Sequence, residues 1–226
     1  MSAAEQSEST RAKILIVDDH PVVRAGLVMT LGRDPGITVC GEADGVREAM
    51  ILVRSLVPDL ILADLDLDGG SGLDLIKEAR DSFPAMPVLV LSMHDESLYA
   101  ERSLRAGARG YLMKNETPAR LLAGVKAVLA GEIVVSENMK ALVVRRMAEG
   151  AASDREDSLK ALSDRELEVF REIGAGLGTR KIADKLCLSV KTVESHVAHI
   201  KRKLGLQTAT ELQHRAFHWS TRRGSN

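Results

Sequence analysis

The 226-residue sequence predicts an α/β domain built on a five-stranded parallel sheet, followed by a small all-α domain, and three observations predict it. Short aliphatic runs alternate with helix-length amphipathic stretches as far as about Gly131. Beyond that point no strand pattern remains, only helical periodicity. The charge divides in the same way. The formal net charge is −1, yet residues 1–159 hold 18 basic against 25 acidic side chains (net −7) and residues 160–226 hold 13 against 7 (net +6). An acidic front and a basic tail imply two parts with different partners.

The strand runs are ILIV before Asp18, ITVC from Ile37, LILA from Leu60, VLVL from Val88 and GYLM from Gly110. Near-continuous apolar strands suit a parallel sheet covered on both faces. Helices are expected to begin near Pro21, Val46, Gly72, Ser97 and Pro118; the last puts proline in its first turn and Leu121, Leu122, Val125 and Leu129 on one face. The first domain is therefore expected over residues 13–131, after a flexible polar N-terminus at residues 1–12. Residues 132–159 are expected to form a linker helix from Ser136 to Glu149 and a flexible linker from Glu149 to Ser158. The helical domain follows over residues 160–222. Ser163 and Glu166 stand at capping-box spacing before Leu167, Val169, Phe170 and Ile173. Thr179 is expected to cap a helix through Leu186 and Ser189 another to about Leu204, with a last helix over Thr208 to Trp219.

At 45% hydrophobic and 28% charged residues the composition is that of a soluble globular protein. MSAAEQSESTRA at the start lacks the apolar stretch of an export signal, and no apolar run reaches the roughly 18 residues a membrane span needs. A cytoplasmic location without a membrane partner is expected. Cys40 and Cys187 fall in opposite halves, which supports neither a disulfide framework nor a cysteine metal site.

In an open parallel sheet, ligands bind outside the carboxyl ends of the strands. There the first strand ends in Asp18 and Asp19, the third in Asp64 and the fourth in Ser92, while Lys114 follows the fifth. Singly, each is a solvated charge at a loop end; their coincidence at four strand ends points to a site. Clustered carboxylates need a cation, and a hard, oxygen-rich site suits Mg²⁺. Asp64 can attack phosphorus to give an acyl phosphate, with Mg²⁺ and Lys114 neutralising the phosphoryl oxygens and Ser92 donating a hydrogen bond to them.

Two other readings of Asp64-Leu65-Asp66-Leu67-Asp68-Gly69 compete. An EF-hand calcium loop has acids at positions 1, 3 and 5 and glycine at 6, but position 12 here is Leu75 rather than glutamate, and a strand precedes the loop. A haloacid-dehalogenase-like phosphatase also pairs a strand-end aspartate with a second two residues on. It places its remaining acids after the lysine, where this chain has no acid pair at a strand end.

The text ILIVDDHPVVRAGL, PDLILADLDLDGGSGLDLI, VLVLSMHDE and RAGARGYLMKNE resembles a response-regulator receiver domain, which has a flavodoxin-like fold. The resemblance implies that Asp64 is the phosphoacceptor and that Asp18, Asp19, Asp64 and the backbone carbonyl of Asp66 hold Mg²⁺. It implies that Ser92 and Lys114 bind the phosphoryl group and that Tyr111 is the switch aromatic, turning inward as Ser92 moves toward the phosphate. A sensor histidine kinase is the implied donor. Asp68 stands where that family usually has proline, beside Gly69 and Gly70, so a more mobile loop and an altered acyl-phosphate lifetime or metal affinity are expected.

In the basic part, KIADKLCLSVKTVESHVAHIKRKLG has the layout of a helix-turn-helix, whose second helix enters the major groove. Val193, Val197, Ile200 and Leu204 form one apolar stripe, and Lys191, Thr192, Glu194, Ser195, Ala198, His199 and Arg202 lie opposite. The residues LSDRELEVF, GLGTRKIADKL and SVKTVESHVAHIKRKLGL resemble a LuxR-type DNA-binding domain, and with the receiver they resemble a NarL/FixJ-type response regulator. That resemblance implies that Lys191, Thr192, Lys201 and Lys203 lie at DNA phosphates and that Glu194, Ser195 and Ala198 face bases. It also implies that Leu212, Ala216 and Trp219 on the last helix pair two chains. His196, at the edge of the stripe, is expected to pack or cap rather than read bases. The function these readings converge on is a phosphorylation-dependent, DNA-binding transcriptional regulator, not an enzyme, that forms a homodimer when phosphorylated or on double-stranded DNA. The competing reading is a regulator whose unphosphorylated receiver works through protein contacts.

Overall fold

All five apolar runs become strands of one parallel sheet in the computed structural model, which describes residues 11–67, 70–141 and 158–223. Strands β1 (Ala12–Val17), β2 (Ile37–Ala43), β3 (Leu60–Ala63), β4 (Val88–Ser92) and β5 (Gly110–Met113) lie in the order β2-β1-β3-β4-β5. Strand order reverses around β1, and a crevice opens at such a reversal. The register Val17↔Ala63 sets the ends of β1 and β3 side by side, so Asp18 and Asp64 leave the sheet as neighbours.

Helices α1 (Pro21–Leu31), α2 (Val46–Leu56), α3 (Gly72–Ser82) and α4 (Glu96–Ala106) connect the strands, and α5 (Pro118–Leu129) follows the last of them. Side chains alternate along each strand, so one core gathers Ile14, Ile16, Leu60, Leu62, Leu89, Leu91 and Leu112 with Leu27 and Leu31 of α1 and Leu121, Val125 and Val128 of α5. The intervening Leu15, Val17, Ile61, Ala63, Val88 and Val90 are buried as well, as are Met50 of α2, Leu75 of α3 and Leu98 of α4. Each buried aliphatic side chain contributes roughly 1.5–3 kcal/mol. Helices α3, α4 and α5 begin where a side chain can accept an otherwise unpaired N–H: Ser71 from Leu73, Asp95 from Ser97 and Thr117 from Arg120.

The chain stays on this sheet beyond the expected end at Gly131. Val134 donates to the Arg109 carbonyl at 3.0 Å and accepts from the Tyr111 N–H at 2.7 Å, covering the outer edge of β5. The chain divides into two units between Ser136 and Glu137. The linker helix expected from Ser136 is described only from Glu137 to Ala141, and Glu149 to Asp157 of the expected flexible linker lie outside the described residues, as do Asp68 and Gly69.

In the second unit a 3-10 turn (Ser158–Ala161) precedes α6 (Asp164–Gly174), α7 (Thr179–Lys185), α8 (Val190–Leu204) and α9 (Ala209–Arg223). Ser163 and Glu166 form the capping box of α6. Thr179 is the first residue of α7 rather than its cap; Gly178 holds that position without a side-chain bond. Ser189 caps α8, and Gly205 ends it in the left-handed region at φ 68°, where a side chain is strained. Thr208 caps α9, its hydroxyl accepting from Glu211 N–H at 3.1 Å, and α9 runs past the expected end at Trp219. Val193, Ile200 and Leu204 of α8 are buried and Val197 is half-buried. No helix among the described residues is long and apolar enough to cross a membrane.

The expected dimer face on α9 requires correction. Leu212 and Ala216 are buried at 2% and 0% exposure, and the Trp219 ring lies 5.8 Å from Phe170 of α6. A Cβ on Gly174 would stand 2.7 Å from the Ala216 carbonyl oxygen, so α6 and α9 cross backbone to backbone. Their helical spacing is that of a core stripe within this unit. Phe217, at 54% exposure, points away from it.

Gly72, where α3 leaves the acidic edge, is irreplaceable for a similar reason. A Cβ there would lie 2.1 Å from the Asp64 carbonyl oxygen and 2.6 Å from the Leu65 Cα, both backbone atoms. Gly72→Ala is expected to lower stability by about 1–3 kcal/mol or more in urea unfolding, with the Asp64 loop displaced.

Candidate functional site

At the strand ends, the Lys114 ammonium lies 2.6 Å from Asp18 Oδ2 and 2.8 Å from Asp64 Oδ2. Asp18 and Asp64 are 1% and 4% exposed. Burial pushes the Asp64 carboxyl above the usual carboxylate range against the pull of Lys114, and Asp66 and Asp18 push it the same way. Burial works against the Lys114 ammonium too, but its bonds to Asp18 and Asp64 outweigh it and raise its pKa. Asp64 Oδ1 accepts from the Leu65 N–H at 2.7 Å.

Asp18, Asp19, Asp64 and also His20 bring ligand atoms within 4.8 Å of one another. His20 Nδ1 lies 2.5 Å from Asp19 Oδ1, and its N–H donates to Asp18 Oδ1 at 2.8 Å. With the Lys114 ammonium shared by Asp18 and Asp64, and Asp19 beside them facing His20, the three carboxylates leave a surplus of negative charge on hard oxygen donors, and this donor set fits Mg²⁺.

Ser92 is fully buried, and its hydroxyl accepts from the His94 N–H at 3.1 Å. Tyr111 is inward at 0% exposure and donates to the His94 carbonyl at 2.7 Å; its burial pushes the phenol pKa up. Sequence reasoning missed His94. Its Nε2 lies 2.8 Å from Asp66 Oδ2 and its ring stacks on Tyr99 at 4.8 Å, so it joins the Asp66 loop to the Ser92 loop. The available signal was an imidazole two residues after the strand-end serine. His20 was equally visible, directly after the acid pair.

On α8, Lys191, Glu194, Ser195, Ala198, His199 and Arg202 are exposed along one face. Thr192 is half-buried, its hydroxyl 2.7 Å from that of Ser189. Lys201 is half-buried and reaches the Gln207 carbonyl at 3.5 Å. Lys203, expected at a phosphate, has its ammonium 2.6 Å from Glu166 Oε2 of the capping box. Burial opposes ionisation of Glu166, but Lys203 and the Ser163 N–H outweigh it and hold the carboxyl below its usual range. His196 is half-buried, and burial lowers its pKa.

Residues 14–126 match the response regulator receiver domain family, and residues 160–216 match the luxR family of bacterial regulatory proteins. The chain belongs to the LuxR-type response regulators. The oxygen regulatory protein NreC of Staphylococcus aureus is 41% identical over 205 residues, spanning 88% of this chain and 94% of its own. Among solved structures, a LuxR-family two-component response regulator from Aurantimonas sp. SI85-9A1 is 35% identical, with a TM-score of 0.58 over 62% of this chain and all of the other. RcsB from Salmonella enterica serovar Typhimurium, solved on promoter P1flhDC with the phosphomimetic BeF3-, is 26% identical, with a TM-score of 0.66 over 91% of this chain and 98% of its own.

Two measurements probe this response regulator's charges. Because Asp64 takes up its proton at higher pH in the folded protein than in the unfolded chain, its ionised form lowers stability above that folded pKa. In chelator, Asp64→Asn is expected to raise the melting temperature at neutral pH. The gain should shrink as pH falls and vanish below about 4. In the second unit, Lys203→Gln takes from the buried Glu166 its lysine and should lower the melting temperature by several degrees. Lys191→Gln, on the exposed face, should leave it unchanged while weakening DNA binding.

Proposed function

We propose that this response regulator takes a phosphoryl group on Asp64 from the phosphohistidine of a sensor histidine kinase and thereby gains affinity for double-stranded DNA. The observation that carries the reading is the single Lys114 ammonium shared by Asp18 and Asp64 at 2.6 and 2.8 Å. An Asp64 carboxylate oxygen attacks phosphorus, the P–N bond to the kinase imidazole breaks, and an acyl phosphate remains. Lys114 shifts toward the phosphoryl oxygens, and the buried Ser92 hydroxyl rotates from accepting the His94 N–H to donating to one of them. Asp18, Asp19, Asp64 and the Asp66 carbonyl would hold Mg²⁺, which would supply the remaining positive charge against those oxygens. Tyr111, inward in this structure and bonded to the His94 carbonyl, holds the loop after Ser92 in the phosphorylated state.

The DNA-binding surface is the exposed face of α8. Lys191 and Arg202, with Lys201 beside them, meet phosphates, and Glu194, Ser195 and Ala198 face base edges, where glutamate accepts from a cytosine amino group and alanine touches a thymine methyl. Direct readout is confined to few bases. The protein works in the cytoplasm as a regulator rather than as an enzyme, and a homodimer places two α8 helices on successive major grooves.

Selection of DNA from random sequence, with and without a small phosphodonor and Mg²⁺, tests the whole reading. Wild type should form one acyl phosphate per chain and enrich a two-half-site motif more strongly when phosphorylated; Asp64→Asn should form none. Equal enrichment with and without acyl phosphate would favour signalling by protein contacts, and repeated turnover of a small phosphoester would favour a phosphatase.

A further inference from the structure

Three consecutive residues beyond α5 are tied back to three different elements. Val134 exchanges backbone bonds with Arg109 and Tyr111 at 3.0 and 2.7 Å. The Val135 carbonyl accepts from Arg120 Nη2 at 3.3 Å. Ser136 donates twice to Glu96, the first residue of α4: its backbone N–H reaches Oε1 at 2.8 Å and its hydroxyl reaches Oε2. Helix resumes at the next residue, Glu137. Bonds to a charged carboxylate are roughly twice as strong as neutral ones, so Glu96 grips the residue from which that helix starts.

The same short stretch of chain carries the switch contacts. Ser92 accepts from the His94 N–H and Tyr111 donates to the His94 carbonyl, two residues before Glu96. Tyr111 also bonds through its backbone to Val134, two residues before Ser136. Both partners of the clasp are therefore held a dipeptide away from a group that answers to Asp64. We propose that Glu96 and Ser136 are positioning residues that carry the phosphorylation state of the receiver to the helix beginning at Glu137. The clasp is closed when Tyr111 is inward and loosens when Tyr111 leaves the His94 carbonyl. This rests on Asp64 being the phosphoacceptor. Neither residue takes part in phosphoryl transfer, since both Glu96 carboxylate oxygens face Ser136.

The test uses full-length protein carrying E96Q, S136A or S136T, with the small phosphodonor and Mg²⁺. Acyl phosphate and DNA affinity are measured on the same samples. Because the chain has 2 tyrosines, 3-fluorotyrosine labelling gives two ¹⁹F resonances, one of which reports Tyr111. All three variants should reach the wild-type acyl-phosphate level. A wild-type gain in affinity of the usual allosteric size, about 5- to 150-fold, should fall to about twofold or less in E96Q and S136A. Their Tyr111 resonance should move less on phosphorylation, and S136T, which keeps both donors, should behave as wild type. A full gain in E96Q and S136A would overturn the proposal, as would a lost gain with a normal Tyr111 response, which marks a purely structural bond. A wild-type protein that forms no acyl phosphate would overturn the Asp64 reading itself, and the clasp's role with it.

Discussion

A single ammonium between two buried carboxylates holds the acidic edge of the first unit together. Without Lys114, Asp18 and Asp64 would be two like charges at adjacent strand ends, and removing one partner of a buried pair leaves the other uncompensated. The neighbouring features follow from keeping that arrangement in place. Parallel pairing of β1 with β3 in the register Val17↔Ala63 brings the two aspartates together, and the absent side chain of Gly72 lets α3 pass against the Asp64 carbonyl. β5 delivers Lys114 from the far side, where the Lys114 N–H bonds to the Ser92 carbonyl at 2.9 Å. The lysine satisfies each carboxylate only in part. Asp64 stays above its normal pKa, and the site keeps the surplus negative charge that a divalent cation can neutralise.

The second unit solves a different electrostatic problem. Three glutamates of α6, Glu166, Glu168 and Glu172, are each 5% exposed or less. Each has a cation close by: Lys203 for Glu166 at 2.6 Å, Arg165 for Glu168 at 2.6 Å, and Arg171 and Lys185 for Glu172 at 2.9 and 3.1 Å. Arg165 also donates to the Leu186 carbonyl at the end of α7. Helices α7 and α8 are thereby locked to α6 by side chains as well as by the apolar core, which fixes the orientation of the exposed face of α8.

Much of this was legible from sequence because local rules decide it. Strand position, polarity at the strand ends and capping residues are set by neighbours in the chain, so Asp18, Asp64, Ser92 and Lys114 fall together at the strand ends on sequence alone. The capping box at Ser163 and the cap at Ser189 were legible for the same reason. What escaped depends on partners distant in sequence. Lys203 reads only as a basic residue of α8, and its pair with Glu166, on another helix, shows only in the fold. Leu212, Ala216 and Trp219 announce an apolar stripe, but periodicity does not say whether a stripe meets its own domain or another chain; the close α6–α9 crossing decides that. Val134 lies in no strand run of its own, and its pairing to β5 extended the first unit past Gly131.

The Glu166–Lys203 pair also bears on how salt acts on DNA binding. Each phosphate neutralised by a lysine or arginine releases roughly 0.9 of a condensed counterion from duplex DNA. A cation whose charge is taken up by a buried glutamate, rather than by a phosphate, releases none. Arg165, Arg171, Lys185 and Lys203 all stand in such pairs, so the 13 basic residues of the tail overstate the ions set free when this unit docks. Binding will depend on ionic strength less steeply than the number of basic residues suggests.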